Sequence, residues 1–304
     1  MYDSLLILTY GGPETVEQIR PFIEKILGDR ATPSRVEASV KRYERLGGVS
    51  PINEQTRALL VRLINKMMSI ENPTPVYWAT LYSNPSVEET ITHLVYDDRK
   101  NVAVFTPTPL ESEYMNRKFR KSIDDALNSI DSDQKPTFTF LPPYADSDEF
   151  IRAGASTVIK GLKFLEDQGE KNIKILFSAH SLPVSWEETS SYVTRFTEIT
   201  DKIAKQIGLK DVMKVWQSKP PEAQGEWLSP DPVEAIDALA NQSPVTAVLI
   251  VPLGFSLDNM EIAYDLDFTA ANACRERGIN MFRASTASAE PDFIEMIINL
   301  LYSN

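Results

Sequence analysis

Short apolar runs alternate with longer amphipathic segments along the whole chain. The apolar runs are rich in Ile, Val, Leu and Phe, whereas the segments between them have the spacing of amphipathic helices. This alternation is typical of βαβ units, in which helices cover both faces of a parallel sheet. The predicted strands lie near residues 5–9, 76–81, 102–106, 137–141, 173–178, 213–217, 246–252 and 280–284. The sequence therefore predicts an α/β fold built from doubly wound parallel sheets.

The length of the chain and a stretch rich in proline near its middle predict two domains. A chain of 304 residues suits two domains of ordinary size, and Pro142 and Pro143 interrupt the periodic pattern. We expect an N-terminal domain over residues 1–143 and a C-terminal domain over residues 144–304, with the last helix packing back on the first domain. A ligand cleft is expected between the carboxyl ends of the two sheets.

The composition excludes several classes of protein and site. The single cysteine, Cys274, excludes an intrachain disulfide and a four-cysteine iron–sulfur cluster, and it indicates a reducing compartment such as the cytoplasm. The 31 basic and 43 acidic residues give a net charge of −12, which argues against a nucleic-acid-binding protein. Apolar runs are too short for a transmembrane helix, and the first residues do not resemble a secretory signal. We expect neither.

The glycine pattern argues against the common nucleotide-binding loops. None of the 12 glycines forms a GxGxxG or GxxxxGK[ST] pattern, and no GxSxG elbow supplies a hydrolase nucleophile. Gly11-Gly12-Pro13 is instead predicted to be a tight turn after the first strand. Asn53, which follows a second glycine pair at Gly47-Gly48, is expected to cap the next helix.

One of the two histidines follows directly after a predicted buried strand. His180 comes at the end of the run that begins at Ile173, and open α/β sheets place their chemistry at the carboxyl ends of strands. The other, His93, lies in a helical pattern in which a histidine usually covers a face. His180 is therefore the first candidate for a catalytic residue.

A second candidate group is acidic and lies on a predicted helix over about residues 259–277. Glu261 and Asp265 share one helix face at i, i+4 spacing, where two like charges repel unless a cation relieves them. Imidazole and carboxylate together suit a borderline divalent metal such as Fe²⁺. The alternative is that acidic residues near a helix N-terminus only complement its dipole.

Five motifs, in order along nearly the whole chain, resemble the ferrochelatase family and most closely its bacterial coproporphyrin ferrochelatases. They are Leu8-Thr9-Tyr10-Gly11-Gly12-Pro13, Arg42-Tyr43 with Gly47 to Gln55, Phe177-Ser178-Ala179-His180-Ser181-Leu182-Pro183, Trp216-Gln217-Ser218, and Gly254-Phe255 to Asp267.

The resemblance implies two Rossmann-like domains and a lyase of haem biosynthesis that inserts Fe²⁺ into coproporphyrin III or a close porphyrin. Two pyrrole protons leave during this reaction, so a base that titrates near neutral pH is needed. The resemblance also implies that Fe²⁺ is a substrate, that no organic cofactor is bound permanently, and that a monomer passes haem to a transient acceptor protein.

The resemblance implies roles for eight residues. His180 and Glu261 would be the catalytic pair on one face of the porphyrin, and these two with Asp265 would contact the metal. Tyr10 would lie on the other face, near the iron. The propionates would be held by residues of the N-terminal domain: Arg30, Arg42, Ser50 and Tyr114.

Three departures from the family pattern leave alternatives open. Asn259 replaces a common histidine, and Thr269 stands where a further carboxylate often continues the acidic line. Residues 77–82 and 106–110 also differ from the usual family sequences on the porphyrin-binding side. A non-catalytic porphyrin or haem carrier is therefore the alternative function. A chelatase for cobalt or nickel, a preference for protoporphyrin and a two-lobed small-molecule-binding protein also stay open. Tyr10 could instead fill the cleft with its ring, and Arg42 could pair with Glu44 or Glu54.

Overall fold

Eight strands form two four-stranded parallel sheets in the computed structural model, which describes residues 2–110, 112–131, 134–220, 222–242 and 244–303. The first sheet has the order β2-β1-β3-β4 and the second the order β6-β5-β7-β8. The strands are β1 (Ser4–Thr9), β2 (Val76–Thr80), β3 (Asn101–Phe105), β4 (Thr137–Phe140), β5 (Ile173–His180), β6 (Val212–Gln217), β7 (Ala247–Val251) and β8 (Asn280–Arg283). The α/β fold class predicted from the sequence is confirmed.

The chain divides into two compact units, each with one sheet. The first combines the residues up to Pro107 with Glu113–Pro142 and the residues from Ile294 onward. The second comprises Thr108–Ser112 and Pro143–Phe293.

Helices connect the parallel strands within each unit. They are α1 (Val16–Leu27), α2 (Pro33–Arg45), α3 (Ile52–Met67), α4 (Val87–Tyr96), α5 (Glu113–Ser129), α6 (Asp148–Asp167), α7 (Thr189–Gln206), α8 (Pro232–Gln242), α9 (Met260–Ile262), α10 (Ala271–Glu276) and α11 (Pro291–Tyr302). None of the described helices is long and apolar enough to cross a lipid bilayer.

The central strands are buried on both faces, which explains their almost continuous apolar sequences. All six residues of β1 and all five of β7 are buried. In the first unit, Ile91 of α4 and Phe119 of α5 pack in the same core as Leu6 of β1. In the second unit, Ile236 of α8 and Ile262 of α9 pack with the central strands. Burial of these side chains removes apolar surface from water and is the main stabilising contribution in each unit.

The predicted helix over residues 259–277 differs from a regular α-helix. Between α9 and α10 the structure has a π-helical segment, Ala263–Ala270. Within it the hydroxyl of Thr269 donates to the carbonyl oxygen of Tyr264, five residues earlier, at 2.9 Å. A π-helix has i→i+5 hydrogen bonds, and such segments frequently occur at functional sites. Asp265, one of the two acidic candidates, lies within this segment, whereas Glu261 lies before it in α9.

Candidate active site

His180 is the last residue of β5, at the carboxyl end of the second sheet. Its side chain is one-third exposed (34 %), although the strand residues before it are buried. Nδ1 lies 2.6 Å from the carbonyl oxygen of Ser181. Because a carbonyl only accepts hydrogen bonds, Nδ1 carries a proton, and in the neutral ring Nε2 is the basic nitrogen.

Glu261 lies in the first turn of α9 and faces the basic nitrogen of His180. Asn259 precedes this helix as its N-cap, where its side-chain oxygen accepts a hydrogen bond from the backbone N–H of Ile262 at 3.0 Å. Nε2 of His180 and Oε1 of Glu261 are 3.6 Å apart. This distance permits ion pairing with an imidazolium but is longer than a direct hydrogen bond. The structure thus brings together the two residues predicted to be the catalytic pair.

Opposing effects act on the pKa of His180. Burial disfavours the charged ring and lowers the pKa, whereas the charge of the nearby Glu261 carboxylate raises it. The Ser181 carbonyl and the charge of Asp265 also raise it, and the resulting pKa of His180 lies above its ordinary value. Carboxylates therefore stabilise the imidazolium at this position.

Asp265 projects from the π-helical segment and contacts a residue that follows β6. The hydroxyl of Ser218 donates to Oδ2 of Asp265 at 2.6 Å. Ser218 has a φ of +68°, a left-handed conformation that is uncommon for a residue with a side chain. A strained serine at the carboxyl end of a strand thus fixes the second acidic residue of the predicted site.

Gln217, at the end of β6, supports the end of β5 from its neighbouring strand. It pairs with His180 in the sheet register, and its carbonyl accepts a hydrogen bond from the backbone N–H of Ser181 at 2.7 Å. The hydroxyl of Ser178 donates to Oε1 of the buried Gln217 side chain at 2.9 Å. These contacts fix the backbone that positions the imidazole. Among the described residues, no three or more His, Cys, Asp or Glu side chains are grouped to hold a metal ion.

Tyr10, in the first unit, follows β1 and belongs to an aromatic cluster. Its ring centroid lies 5.4 Å from that of Tyr82 and 6.2 Å from that of Phe119. Its hydroxyl donates to the sulfur atom of Met115 at 2.8 Å. The ring is half-buried, and these contacts define its orientation at the carboxyl end of the first sheet.

Arg30 and Tyr114, two residues predicted to hold propionates, interact with each other. Arg30 ends a short 3₁₀ turn after α1, and Tyr114 lies in the first turn of α5. Burial raises the pKa of Tyr114, but hydrogen bonds and charge from Lys118 and Arg30 outweigh burial, so the pKa is lowered. Two cations therefore converge on this one phenol.

Lys118 and Tyr82 belong to the same cluster, although the sequence did not identify them as site residues. The ammonium of Lys118 donates to the Tyr82 hydroxyl at 3.1 Å and lies 4.7 Å from the ring centroid of Tyr114. The i, i+4 spacing of Tyr114 and Lys118 on α5 was a usable signal, because residues at this spacing share a helix face. Tyr82 has no such helical spacing, although it ends residues 77–82, which differ from the usual family sequences on the porphyrin-binding side.

Ser50 and Arg42, the remaining predicted binding residues, lie on the segment between β1 and β2. Arg42 is half-buried in the last turn of α2. Ser50 is buried against Gly12, where a Cβ on the glycine would lie 2.6 Å from Cβ of Ser50. The turn after β1 therefore requires glycine because Ser50 approaches so closely.

The prediction that Asn53 caps a helix is wrong. α3 begins at Ile52, and Asn53 lies inside its first turn, so its side chain is not at the capping position. Its amide instead donates to the carbonyl oxygen of Gly12 at 3.0 Å. Asn53 thus holds the turn after β1 through a buried contact between distant parts of the chain.

Comparisons with known proteins agree with these motifs. The family model described as Ferrochelatase matches residues 2–304. A ferrochelatase of Rhodopirellula baltica is 32 % identical over 99 % of this chain and 85 % of its own length. A coproporphyrin III ferrochelatase of Nocardia farcinica is 30 % identical over 98 % of this chain and 87 % of its own length.

The fold has a similar solved structure, described as SirB from Bacillus subtilis with Fe³⁺. That structure has a TM-score of 0.61 and covers 99 % of this chain and 94 % of its own chain. At 12 % sequence identity it supports the fold alone. The family match over nearly the entire chain, together with the full-length relatives, shows that the chain belongs to the ferrochelatase family of enzymes that insert metal into porphyrins.

Proposed function

We propose that this protein inserts Fe²⁺ into coproporphyrin III during haem biosynthesis and releases two pyrrole protons. The observation that carries the proposal is the pairing of His180 with Glu261, 3.6 Å apart, with Nδ1 of His180 bound to a carbonyl. Several relatives, including those of Nocardia farcinica and Streptomyces coelicolor, are named coproporphyrin III ferrochelatases, which supports this choice of porphyrin.

His180 is the proposed general base. Its Nε2 accepts a proton from a pyrrole nitrogen, and the imidazolium that forms is stabilised by the carboxylate of Glu261. Glu261 then takes this proton toward solvent, since its side chain is half exposed (50 %). The regenerated imidazole accepts the second pyrrole proton. The hydrogen bond to the Ser181 carbonyl keeps the required tautomer through both transfers.

Glu261 and Asp265 are also the proposed contacts of the incoming iron. Their negative charges attract a divalent cation, and carboxylate oxygens with an imidazole nitrogen suit Fe²⁺. Ser218 holds Asp265 through a hydrogen bond of 2.6 Å, so this carboxylate has a defined position before the metal arrives. Fe²⁺ is a substrate in this scheme, and no permanently bound cofactor takes part.

The first unit supplies the proposed porphyrin-binding residues. Arginine suits a propionate because its planar guanidinium can donate two parallel hydrogen bonds to a carboxylate. The residues proposed to contact the porphyrin or its propionates are Tyr10, Arg30, Arg42, Ser50 and Tyr114. Cytoplasmic location, a monomeric state and transfer of haem to an acceptor protein remain predictions.

The decisive experiment is anaerobic insertion of Fe²⁺ by the purified protein. Coproporphyrin III or protoporphyrin IX is the second substrate, and loss of metal-free porphyrin fluorescence measures the rate. We expect faster insertion into coproporphyrin III. His180→Ala should lower the rate by about a hundredfold or more, since general-base catalysis contributes about 10²–10⁴-fold. The matched control is His93→Ala, which removes the exposed histidine on α4.

Two outcomes would contradict the proposal. Equal rates for His180→Ala and the unaltered protein would show that another group accepts the pyrrole protons. Tight binding of coproporphyrin III with no insertion would identify a carrier, an alternative that the enzymes found among the relatives do not support.

A further inference from the structure

The ammonium of Lys118 is held by two tyrosines in the first unit. It donates to the hydroxyl of Tyr82 at 3.1 Å, and its nitrogen lies 5.6 Å from the centroid of that ring. It also lies 4.7 Å from the ring centroid of Tyr114. A lysine side chain has many rotamers, so these contacts remove flexibility before any ligand binds.

The charged groups that act near Lys118 are positive. Among the described residues, no carboxylate lies at ion-pairing distance from its ammonium, although the sequence has 43 acidic residues and a net charge of −12. Instead, the charge of a second cation, Arg30, acts on Tyr114, the ring that Lys118 faces. Two cations near one phenol repel each other, and an anion between them would relieve that repulsion.

The contacts of Lys118 leave capacity for one more acceptor. An ammonium has three N–H donors, and the hydroxyl of Tyr82 accepts one of them. Hydrogen bonds from an ammonium to a carboxylate are stronger than those to a neutral phenol. A carboxylate is therefore the chemical group that best completes this cluster.

We propose that Lys118, oriented by Tyr82 and Tyr114, is a specificity-determining residue that binds a carboxylate of the porphyrin together with Arg30. This inference rests on the proposed function because it takes the porphyrin as the ligand. Coproporphyrin III has propionates where protoporphyrin IX has vinyl groups. A cation that binds one of these additional propionates would favour coproporphyrin III, which has more carboxylates than protoporphyrin IX.

The test is equilibrium binding of metal-free porphyrins, measured by fluorescence, so that it does not depend on iron insertion. Lys118→Met keeps the length of the side chain but removes its charge, whereas Lys118→Arg keeps the charge. The matched control is Lys121→Met on the same helix, where Lys121 is exposed and pairs with Asp125. Thermal unfolding of each variant checks that it folds.

Lys118→Met should raise the Kd for coproporphyrin III by about tenfold, because a charge-assisted hydrogen bond to a partly exposed carboxylate is lost. The Kd for protoporphyrin IX should rise less, and Lys118→Arg and Lys121→Met should stay within about threefold of the unaltered protein. An unchanged Kd for coproporphyrin III in folded Lys118→Met, or an equal effect of Lys121→Met, would overturn the inference. If the unaltered protein binds coproporphyrin III but inserts no iron, the proposed function fails while a Kd shift still supports this inference. Failure of the unaltered protein to bind coproporphyrin III would overturn both.

Discussion

Nε2 of His180 lies 3.6 Å from Oε1 of Glu261, and this pair links the end of β5 to the helix that follows β7. β5 and β7 are neighbours in the second sheet, so their carboxyl ends lie side by side. The strand order thus explains how two residues far apart in the sequence meet. The opposite nitrogen of the ring, Nδ1, is hydrogen-bonded to the Ser181 carbonyl, so Nε2 is the nitrogen that faces the carboxylate.

Glu261→Gln should shift the pH dependence of iron insertion. Glu261 raises the pKa of His180, so the ring keeps its proton to a higher pH than an ordinary histidine does. A general base works only when neutral, so activity rises as pH increases through this raised pKa. Removal of the charge lowers the pKa, and the acidic limb of kcat/KM should move to lower pH. The rate itself should fall by about ten- to a hundredfold.

The shift can also be measured directly on the ring. Because the chain has two histidines, His93→Ala leaves His180 as the single imidazole signal for an NMR titration. The titration midpoint should be lower when Glu261→Gln is added to this background. A midpoint that stays constant or increases would disprove the electrostatic coupling between the pair.

Gly254→Ala should damage the site through the backbone of β5. A Cβ at Gly254 would lie 2.6 Å from both Cα and Cβ of Ala179, directly before His180. The strand or the Gly254 turn must move, at a cost of about 1–3 kcal/mol of unfolding free energy. We also expect iron insertion to fall by at least about tenfold, since small displacements of catalytic groups are costly.

Gly161→Ala is the matched control for this prediction. Its Cβ would meet Cδ1 of Leu249 at 2.5 Å, so the clash involves the end of a flexible side chain in the core. Urea unfolding and activity of the folded protein separate the two cases. Both variants should lose stability, but Gly161→Ala should retain its activity. An equal loss of activity would show that Gly254 has no particular effect on His180.

The strands could be predicted because their sequence pattern is local. Parallel strands buried on both faces have apolar runs, and each of the eight predicted runs contains most of an observed strand. The order of the strands has no comparable local signal. The placement of His180 beside Glu261 came from a resemblance of motifs, and their distance could be measured only in the structure.

Other features depend on contacts between distant residues, which a local pattern does not contain. Asn53 has the side chain of a good N-cap, but a buried contact with Gly12 uses its amide instead. Tyr82 follows β2, whereas Lys118 lies on α5 between β3 and β4, and only the folded chain brings them into contact. The π-helical segment was also not predicted, since its buried Leu266 and Ala270 are four residues apart, as they would be in an ordinary helix.

Thr269→Val should weaken the π-helical segment. The substitution keeps the shape of the side chain but removes the hydrogen bond to the Tyr264 carbonyl, with an expected loss of about 1 kcal/mol of unfolding free energy. The matched control is Thr92→Val on α4, where an exposed hydroxyl donates to the Glu88 carbonyl at 2.9 Å. That variant should change stability by less than about 0.5 kcal/mol. Equal unfolding free energies for the two variants in urea would contradict this role of Thr269.

Arg283→Met should loosen the segment that carries Glu261 and Asp265. Arg283 donates to both carboxylate oxygens of Asp258 at 3.1 and 3.0 Å and to Oδ1 of Asp267 at 2.9 Å. Asp258 precedes the N-cap of α9, and Asp267 lies in the π-helical segment. One guanidinium therefore contacts a residue before Glu261 and a residue after Asp265.

The expected cost of Arg283→Met is about 2–3 kcal/mol, less than for a fully buried pair because Asp267 is 40 % exposed. Arg20→Met is the comparison variant, since Arg20 pairs with Glu37 on the surface and should contribute less than about 1 kcal/mol. Urea unfolding gives both values, and iron insertion by folded Arg283→Met should also fall because the acidic residues lose their defined position. A loss of stability no larger than that of Arg20→Met would show that Arg283 does not anchor the acidic segment.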